Sequence, residues 1–372
     1  ARANAAAPVI RPPNRSDDPA TIAWRNRRLF SLQKLAFLKD EGAALLISAS
    51  KRDDGILDAE AADVPWPFDP AVPQTIVLRS VQPYDPGARA IPQMVMAAED
   101  YDRILRLLAQ GSPVRLAAAI APRWSDGDRL ERNVIAEIPG SDKADEVVML
   151  GAHLDSWHGG SGATDNAAGV AVMMEAVRLL KALNLQPRRT IRIALWSGEE
   201  QGELGSESYV RTHLGEGLEG DRRDAGNTII PPTSLAEVRR KPDYEKFDAY
   251  FNLDAGSGRI RGIDLQGDEA VRPMFREWLQ PFRSMNAETL SIERACCSDQ
   301  ESFEEIGLPA FQFLQDPLDY FSVAHHSNQD VFERVRGEDL KQAAMIVAAF
   351  VYRTAMLDRR LPRRAAFEEP AR

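Results

Sequence analysis

The sequence predicts an α/β protein: a mostly parallel sheet with helices on both faces, preceded by a smaller α/β domain. Three observations carry this. Between residues 129 and 358, short apolar runs alternate with stretches of helical period, the pattern of strands joined by crossover helices. The run VVML at 147–150 is uninterrupted, as a strand covered on both faces requires. Finally, 372 residues exceed a typical single domain, so two units are expected.

Composition narrows the function classes. A hydrophobic content of 44% and a charged content of 27% are ordinary for a globular protein. A formal charge of −10 argues against a nucleic-acid surface. No apolar run approaches the roughly 18 residues of a membrane span. The chain starts at Ala1 without Met, so a processed or truncated form is the expectation. Cys296 and Cys297 are adjacent, which disfavours a disulfide between them and rules out a CxxC metal clip. They read as small apolar residues of a packed loop.

Taken in order, residues 1–20 are Ala/Pro-rich and read as a lead or linker. A helix is predicted over 21–40, stopped by Gly42. Strands follow at 43–48, 75–78 and 91–96, then a helix at 99–110 with acids in its first turn, then a strand at 113–120. The segments GAALLIS (42–48) and IPQMVMAAEDYDRILRLLAQGSPVRL (91–116) resemble a protease-associated domain, placed at 21–128. Residues 1–128 show no His, Cys and carboxylate grouping at ligand spacing, so this half reads as a lid or recognition module.

The second half, 129–358, should carry strands at 133–138, 147–152, 191–196, 249–253, 262–266 and 310–314. Helices are predicted at 166–183, 206–213, 269–284, 300–306 and 338–356. Residues 213–246 read as a polar surface insertion, and 359–372 as a frayed tail.

Chemistry gathers where apolar strands end. His153 and Asp155 follow the 147–152 strand, spaced as a metal ligand and the group that orients it. Asp165 stands at the start of the next helix. Glu199 and Glu200 follow the 191–196 strand; being adjacent they point apart, so one can bind metal while the other faces substrate. Asp254 ends the 249–253 strand, and VAHHSNQD supplies His325, His326 and Asp330. The chain has only five histidines, and three of them fall in these motifs. Carboxylate-rich, histidine-poor ligand sets suit two close divalent ions.

These segments, in this order, resemble the co-catalytic zinc exopeptidases, the family of bacterial leucyl aminopeptidases, carboxypeptidase Q and glutaminyl cyclases. The resemblance covers about 129–356, and YFNLDAGSGRIRGIDLQG and GLPAFQFLQDPLDY look closest to the carboxypeptidase Q-like branch. It implies the zinc exopeptidase fold and two zinc ions: His153 and Asp254 on one, Glu200 and His326 on the other, Asp165 bridging. It also implies Glu199 as general base and acid acting on a water shared by the ions, with Asp155 orienting His153 or else capping the adjoining loop. His325 is the rival of His326. The four-residue offset to Asp330 favours His326. Asp299-Gln300 stands where many relatives have Asp-His, and with the two cysteines it bears on pocket shape.

The implied function is hydrolysis of short unblocked peptides by a secreted or periplasmic enzyme, with a homodimer as one possible state. Two rivals are weighed. A glutaminyl cyclase-like enzyme would usually need one zinc, whereas five ligand positions are present. A non-catalytic binding or scaffold ectodomain would be expected to have lost ligands or the base. Relatives of this branch also carry a segment ahead of the protease-associated domain, so part of the peptidase domain is expected to be missing.

Overall fold

In the computed structural model, residues 30–31, 33–64, 90–121, 123, 130–217, 238–293, 295 and 297–363 are described. Residues 30–31 and 33–40 are helical (α1). Strands β1 (Leu46–Ala49) and β2 (Gln93–Met96) pair in parallel, and helix α2 (Ala98–Ala109) follows with Glu99 and Asp100 in its first turn. The predicted strand at 75–78 and the lead at 1–20 lie outside the described residues.

The strand predicted at 113–120 is not formed. Leu116 and Ile120 are exposed there, and no neighbouring strand pairs with the segment among the described residues. An apolar run becomes a strand only where its backbone N–H and C=O groups find a ladder.

The larger part is a seven-stranded sheet. In chain order its elements are β3 (Val134–Ile138), β4 (Lys143–His153), α3 (Ala168–Ala182), β5 (Arg189–Trp196) and α4 (Leu204–His213). A hairpin of β6 (Gly215–Gly217) and β7 (Val238–Arg240) then closes the base of the polar insertion. β8 (Phe247–Asn252), β9 (Ile260–Asp264), α5 (Arg272–Leu279), β10 (Thr289–Ser291), α6 (Gln300–Glu304), β11 (Ala310–Gln315) and α7 (Gly337–Met356) complete it. The strand order is β10-β9-β11-β8-β4-β5-β3. β11, β8, β4 and β5 run parallel to one another; β3 and β9 are antiparallel to their neighbours β5 and β11.

Alternation along the central strands divides the core into two layers. Val148 and Leu150 of β4, with Phe251 of β8 and Phe313 of β11, face Val172 and Met173 of α3, Phe275 of α5 and Phe350 of α7. On the opposite face Met149, Trp196 and Tyr250 pack with Tyr209 of α4 and Phe303 of α6. Tyr250 and Phe303 stack at 4.5 Å. Both faces of the sheet are therefore covered, as the sequence predicts. Among the described residues, no helix is long and apolar enough to cross a membrane.

Of the tail expected to fray, 359–372, the chain is packed down as far as Arg363; residues 364–372 lie outside the described residues. Leu361 is 2% exposed and its N–H donates to Asp248 Oδ1 at 2.8 Å. Arg363 lies over the Tyr244 ring and donates to Tyr244 O. An apolar side chain and a cation over an aromatic face hold down a segment whose arginines read as solvated tail.

Candidate metal centre

Because β4, β5, β8 and β11 are parallel, their carboxyl ends open on the same edge of the sheet, where open α/β sheets place their sites. His153 is the last residue of β4; Glu199 and Glu200 follow β5, Asp254 follows β8, and His325 and His326 lie beyond β11. Asp165 sits in the turn of π-helical bonding Ala163–Ala167 that leads into α3, and the Asp165–Asn166 peptide is cis. The helix itself starts two residues after the predicted position, at Ala168.

The predicted residues converge. His153 Nε2 stands 3.2 Å from Asp254 Oδ1 and 3.3 Å from Asp165 Oδ1. His326 Nε2 stands 2.9 Å from Glu200 Oε2 and 3.6 Å from Asp165 Oδ2. The two oxygens of Asp165 thus face two different imidazoles. Glu199 Oε2 lies 3.9 Å from His153 Nε2, on the side of Asp254.

Three overlapping sets bring their ligand atoms within 4.8 Å of one another: His153 with Glu199 and Asp254, His153 with Asp165 and Glu200, and Asp165 with His325 and His326. Asp165 Oδ2 and Glu200 Oε1 are buried and accept no hydrogen bond among the described residues. A buried carboxylate oxygen without a donor is costly unless a cation or a proton satisfies it. Two imidazoles and three carboxylates around these oxygens are a donor set that fits divalent zinc.

The ring of His153 is oriented for this. Its Nδ1 lies 3.0 Å from the backbone carbonyl of Asp155, which can only accept, so Nδ1 carries the proton and Nε2 faces the carboxylates. The Asp155 carboxylate is farther from the ring, at 3.6 Å, and its oxygens accept the backbone N–H groups of Glu199 (3.2 Å) and Glu200 (3.1 Å). Asp155 thus contacts the His153 ring through its main chain and the Glu199-Glu200 loop through its side chain.

Electrostatics follow from burial and crowding. Burial disfavours charge on His153, but Asp254, Asp155 and Asp165 outweigh it and raise the imidazole well above its ordinary value. Burial, reinforced by Asp254 and opposed by His153, lifts Glu199 well above the usual carboxylate range. Burial likewise raises Glu200, against the pull of His326. Asp299 is fully buried and is pushed up to about 7, chiefly by burial.

His325 is not idle. Its ring stacks on His326 with centroids 3.7 Å apart, and Tyr320 packs edge-on against it at 5.0 Å. Asp330 accepts from the N–H (2.6 Å) and hydroxyl (2.7 Å) of Thr164, beside Asp165, so it holds the turn that carries Asp165. Cys297 is exposed rather than packed, and is not disulfide-bonded; Cys296 lies outside the described residues.

Three contributors escaped the sequence reading. Ser298 donates to Asp254 Oδ2 at 2.6 Å. The Trp157 ring meets His326 edge-on at 6.1 Å. Glu60 Oε1 stands 3.7 Å from His326 Nδ1, although residues 1–128 offered no ligand-like grouping. A lone serine, tryptophan or glutamate carries no spacing signal; folding alone brings these to the site.

Comparison with known proteins agrees with this geometry. The model of peptidase family M28 matches residues 133–351, more than half of the chain. Carboxypeptidase Q of Mus musculus is 28% identical over 284 residues, covering 76% of this chain and 54% of that protein. Leucine aminopeptidase 1 of Leptosphaeria maculans is 25% identical over 239 residues, 60% of this chain and 56% of that one. The chain thus spans about half the length of the relatives it matches. Among solved structures, a peptidase M28 precursor from Shewanella amazonensis superposes with a TM-score of 0.63 at 24% identity, covering 89% of this chain and 64% of that one. A zinc aminopeptidase from Bacillus subtilis gives 0.54 at 19% identity, covering 88% and 67%. At these identities the structural likeness is one of fold. The family match, together with the ligand-bearing strand ends it encloses, is decisive: this chain belongs to peptidase family M28.

Proposed function

We propose that the chain is a metal-dependent exopeptidase, an aminopeptidase or a carboxypeptidase Q-like dipeptidase, that hydrolyses short unblocked peptides. One observation carries the reading: Asp165 presents one oxygen to the His153–Asp254 pair and the other to the His326–Glu200 pair. In this reading His153 and Asp254 would hold one zinc ion, Glu200 and His326 would hold a second, and Asp165 would serve both. When bound, such cations would activate water as a nucleophile and would stabilise negative charge on a peptide carbonyl oxygen.

The chain's own residues do the rest. Glu199 takes the proton from the attacking water and returns it to the leaving amine, the two roles that a carboxylate beside the reacting atoms fills in turn. Asp155 keeps His153 and the Glu199-Glu200 loop in register through three contacts. Residues 129–358 form the peptidase domain in this reading, and 21–128 a recognition module at its edge. The secreted or periplasmic location follows from the resemblance to relatives.

The test is elemental analysis of purified protein beside hydrolysis of a dipeptide panel with free or blocked ends, with and without chelator. The expected result is about two zinc ions per chain and chelator-sensitive cleavage of unblocked peptides. Glu199→Gln should keep the metal and lose about 10²- to 10⁴-fold in kcat. One zinc with cyclisation of N-terminal glutamine would replace this reading with a cyclase. No metal and no cleavage after zinc addition would replace it with a binding role.

A further inference from the structure

We infer that Glu60, delivered by a strap from the N-terminal half, is a positioning residue for His326. The inference rests on the metal-centre reading above and goes beyond it, because it ties that centre to a segment outside the family match at 133–351.

The strap is residues 52–60, and backbone pairing seats it on the His326 loop. Ala59 N–H donates to His326 O at 2.9 Å. Asn328 N–H donates to Leu57 O at 2.9 Å, and Leu57 N–H donates to Asn328 Oδ1 at 2.9 Å. Asp58 and Ser327 form an antiparallel bridge between them. Arg52 pairs with Asp58 and also donates to His325 O at 2.7 Å, so both histidine carbonyls are held from the strap. His326 has φ +51°, in the left-handed region that is uncommon for a residue other than glycine. The strap's pairing holds it there.

The same docking sets Glu60 opposite the outer nitrogen of the ring. His326 Nε2 is turned to Glu200 and Asp165, which leaves Nδ1 facing Glu60 Oε1 at 3.7 Å. Lys51 Nζ, 3.0 Å from the same oxygen, anchors the carboxylate from the far side. At 3.7 Å the Glu60 carboxylate stands beside Nδ1 but beyond hydrogen-bond distance. A metal-binding imidazole characteristically gives its other N–H to a carboxylate or carbonyl, which fixes ring orientation and strengthens the ligand. His153 receives this from the Asp155 carbonyl within its own loop. For His326 the carboxylate beside that nitrogen, 3.7 Å away, belongs to Glu60 of the other half of the chain. One half of the metal centre is therefore locally supported and the other half depends on the strap.

The test uses the full chain with ¹⁵N-labelled histidine. The affinity of each zinc ion is measured by competition with a chelating dye, and the imidazole N–H signals are followed in the zinc-loaded protein. Glu60→Ala should weaken one ion about 10- to 100-fold, leave the other unchanged, and lose or shift one slowly exchanging imidazole N–H. Glu60→Gln, which keeps an acceptor oxygen, should recover part of both effects. Wild-type affinities and an unchanged N–H spectrum in Glu60→Ala would overturn the inference. Equal weakening of both ions in both variants would overturn it too, because that marks a general loss of structure. His326→Ala separates the two readings: if it also binds two ions at wild-type affinity, the metal-centre reading fails, and if it loses one while Glu60→Ala loses none, only the role of Glu60 fails.

Discussion

Ser298 donates its hydroxyl to Asp254 Oδ2 at 2.6 Å, while Asp254 Oδ1 faces His153. The serine oxygen in turn accepts from Asn252 Nδ2 at 2.8 Å, and Asn252 is braced by Gln300 and Gln312. Tyr250 and Trp196 extend this chain of hydrogen bonds into the core. The orientation of one carboxylate at the site is thus set by a buried polar network under it. Ser298→Ala should weaken metal retention on the His153 side by about 10-fold, read as dissociation constants by chelator competition. An unchanged pair of constants would show that Asp254 needs no such support.

Gly169 is a second point of leverage. Its N–H donates to Asn166 Oδ1 at 3.1 Å, and Asn166 Nδ2 donates to Leu253 O at 3.0 Å. A Cβ at 169 would stand 2.2 Å from Asn166 Oδ1 and 2.6 Å from Leu253 O. Asn166 and Leu253 neighbour Asp165 and Asp254, so the methyl group would push apart the segments carrying both. Gly169→Ala is expected to cost about 1–3 kcal/mol in urea unfolding and to lower metal content. Wild-type stability with full metal content would contradict the argument.

Arg189 anchors the opposite end of the sheet. Its Nε lies 2.6 Å from Glu146 and 3.0 Å from Asp248, and Nη1 donates to Leu357 O at 2.6 Å. Burial raises Asp248 to about 6, with Leu361 N–H and Arg189 pulling the other way. Arg189→Met would strand that carboxylate and should cost about 3–5 kcal/mol. Adding Asp248→Asn should restore a large part of it. A double variant no more stable than the single would place the loss in the packing of the arginine rather than in the stranded charge.

Asp264 makes a pH prediction. Burial raises its pKa from the ordinary 3.8 to about 6, with Glu293 adding and Ser291 opposing. A raised folded-state pKa means that the folded chain holds a proton which the unfolded chain has released. The group therefore favours folding most at about pH 4 and below, and this advantage is lost as pH rises through about 6. Asp264→Asn is neutral at every pH. It should be more stable than the parent at pH 8 by up to about 3 kcal/mol, with the difference shrinking towards pH 4. Urea titrations in chelator at pH 4, 6 and 8 check this; a difference independent of pH would refute it.

What was legible in the sequence had a local signature. VVML, IRIALW and AYFNL predict buried strands, and each forms one. The residues proposed as ligands were legible for the same reason: a polar residue just beyond an apolar strand is visible in one dimension. Asp165 was placed correctly beside α3, although the helix begins only after the turn that carries it. The three-residue strands β6, β7 and β10 are too short for any period to declare them. The strand expected at 113–120 shows the converse, an apolar run that finds no ladder. Glu60 and Ser298 gain their meaning only from what folding sets beside them.

The order of the sheet has a consequence for biosynthesis. Asp165 must meet His153 from β4, Glu200 from beyond β5, Asp254 from beyond β8 and His326 from beyond β11. β11 takes its place beside β8, but it is the last strand of the sheet to be made. A growing chain emerging from the ribosome lacks part of the ligand set until β11 and the loop after it are out. On the proposed function, the hydrolase cannot act before β11 and the loop after it have been made and have folded into place.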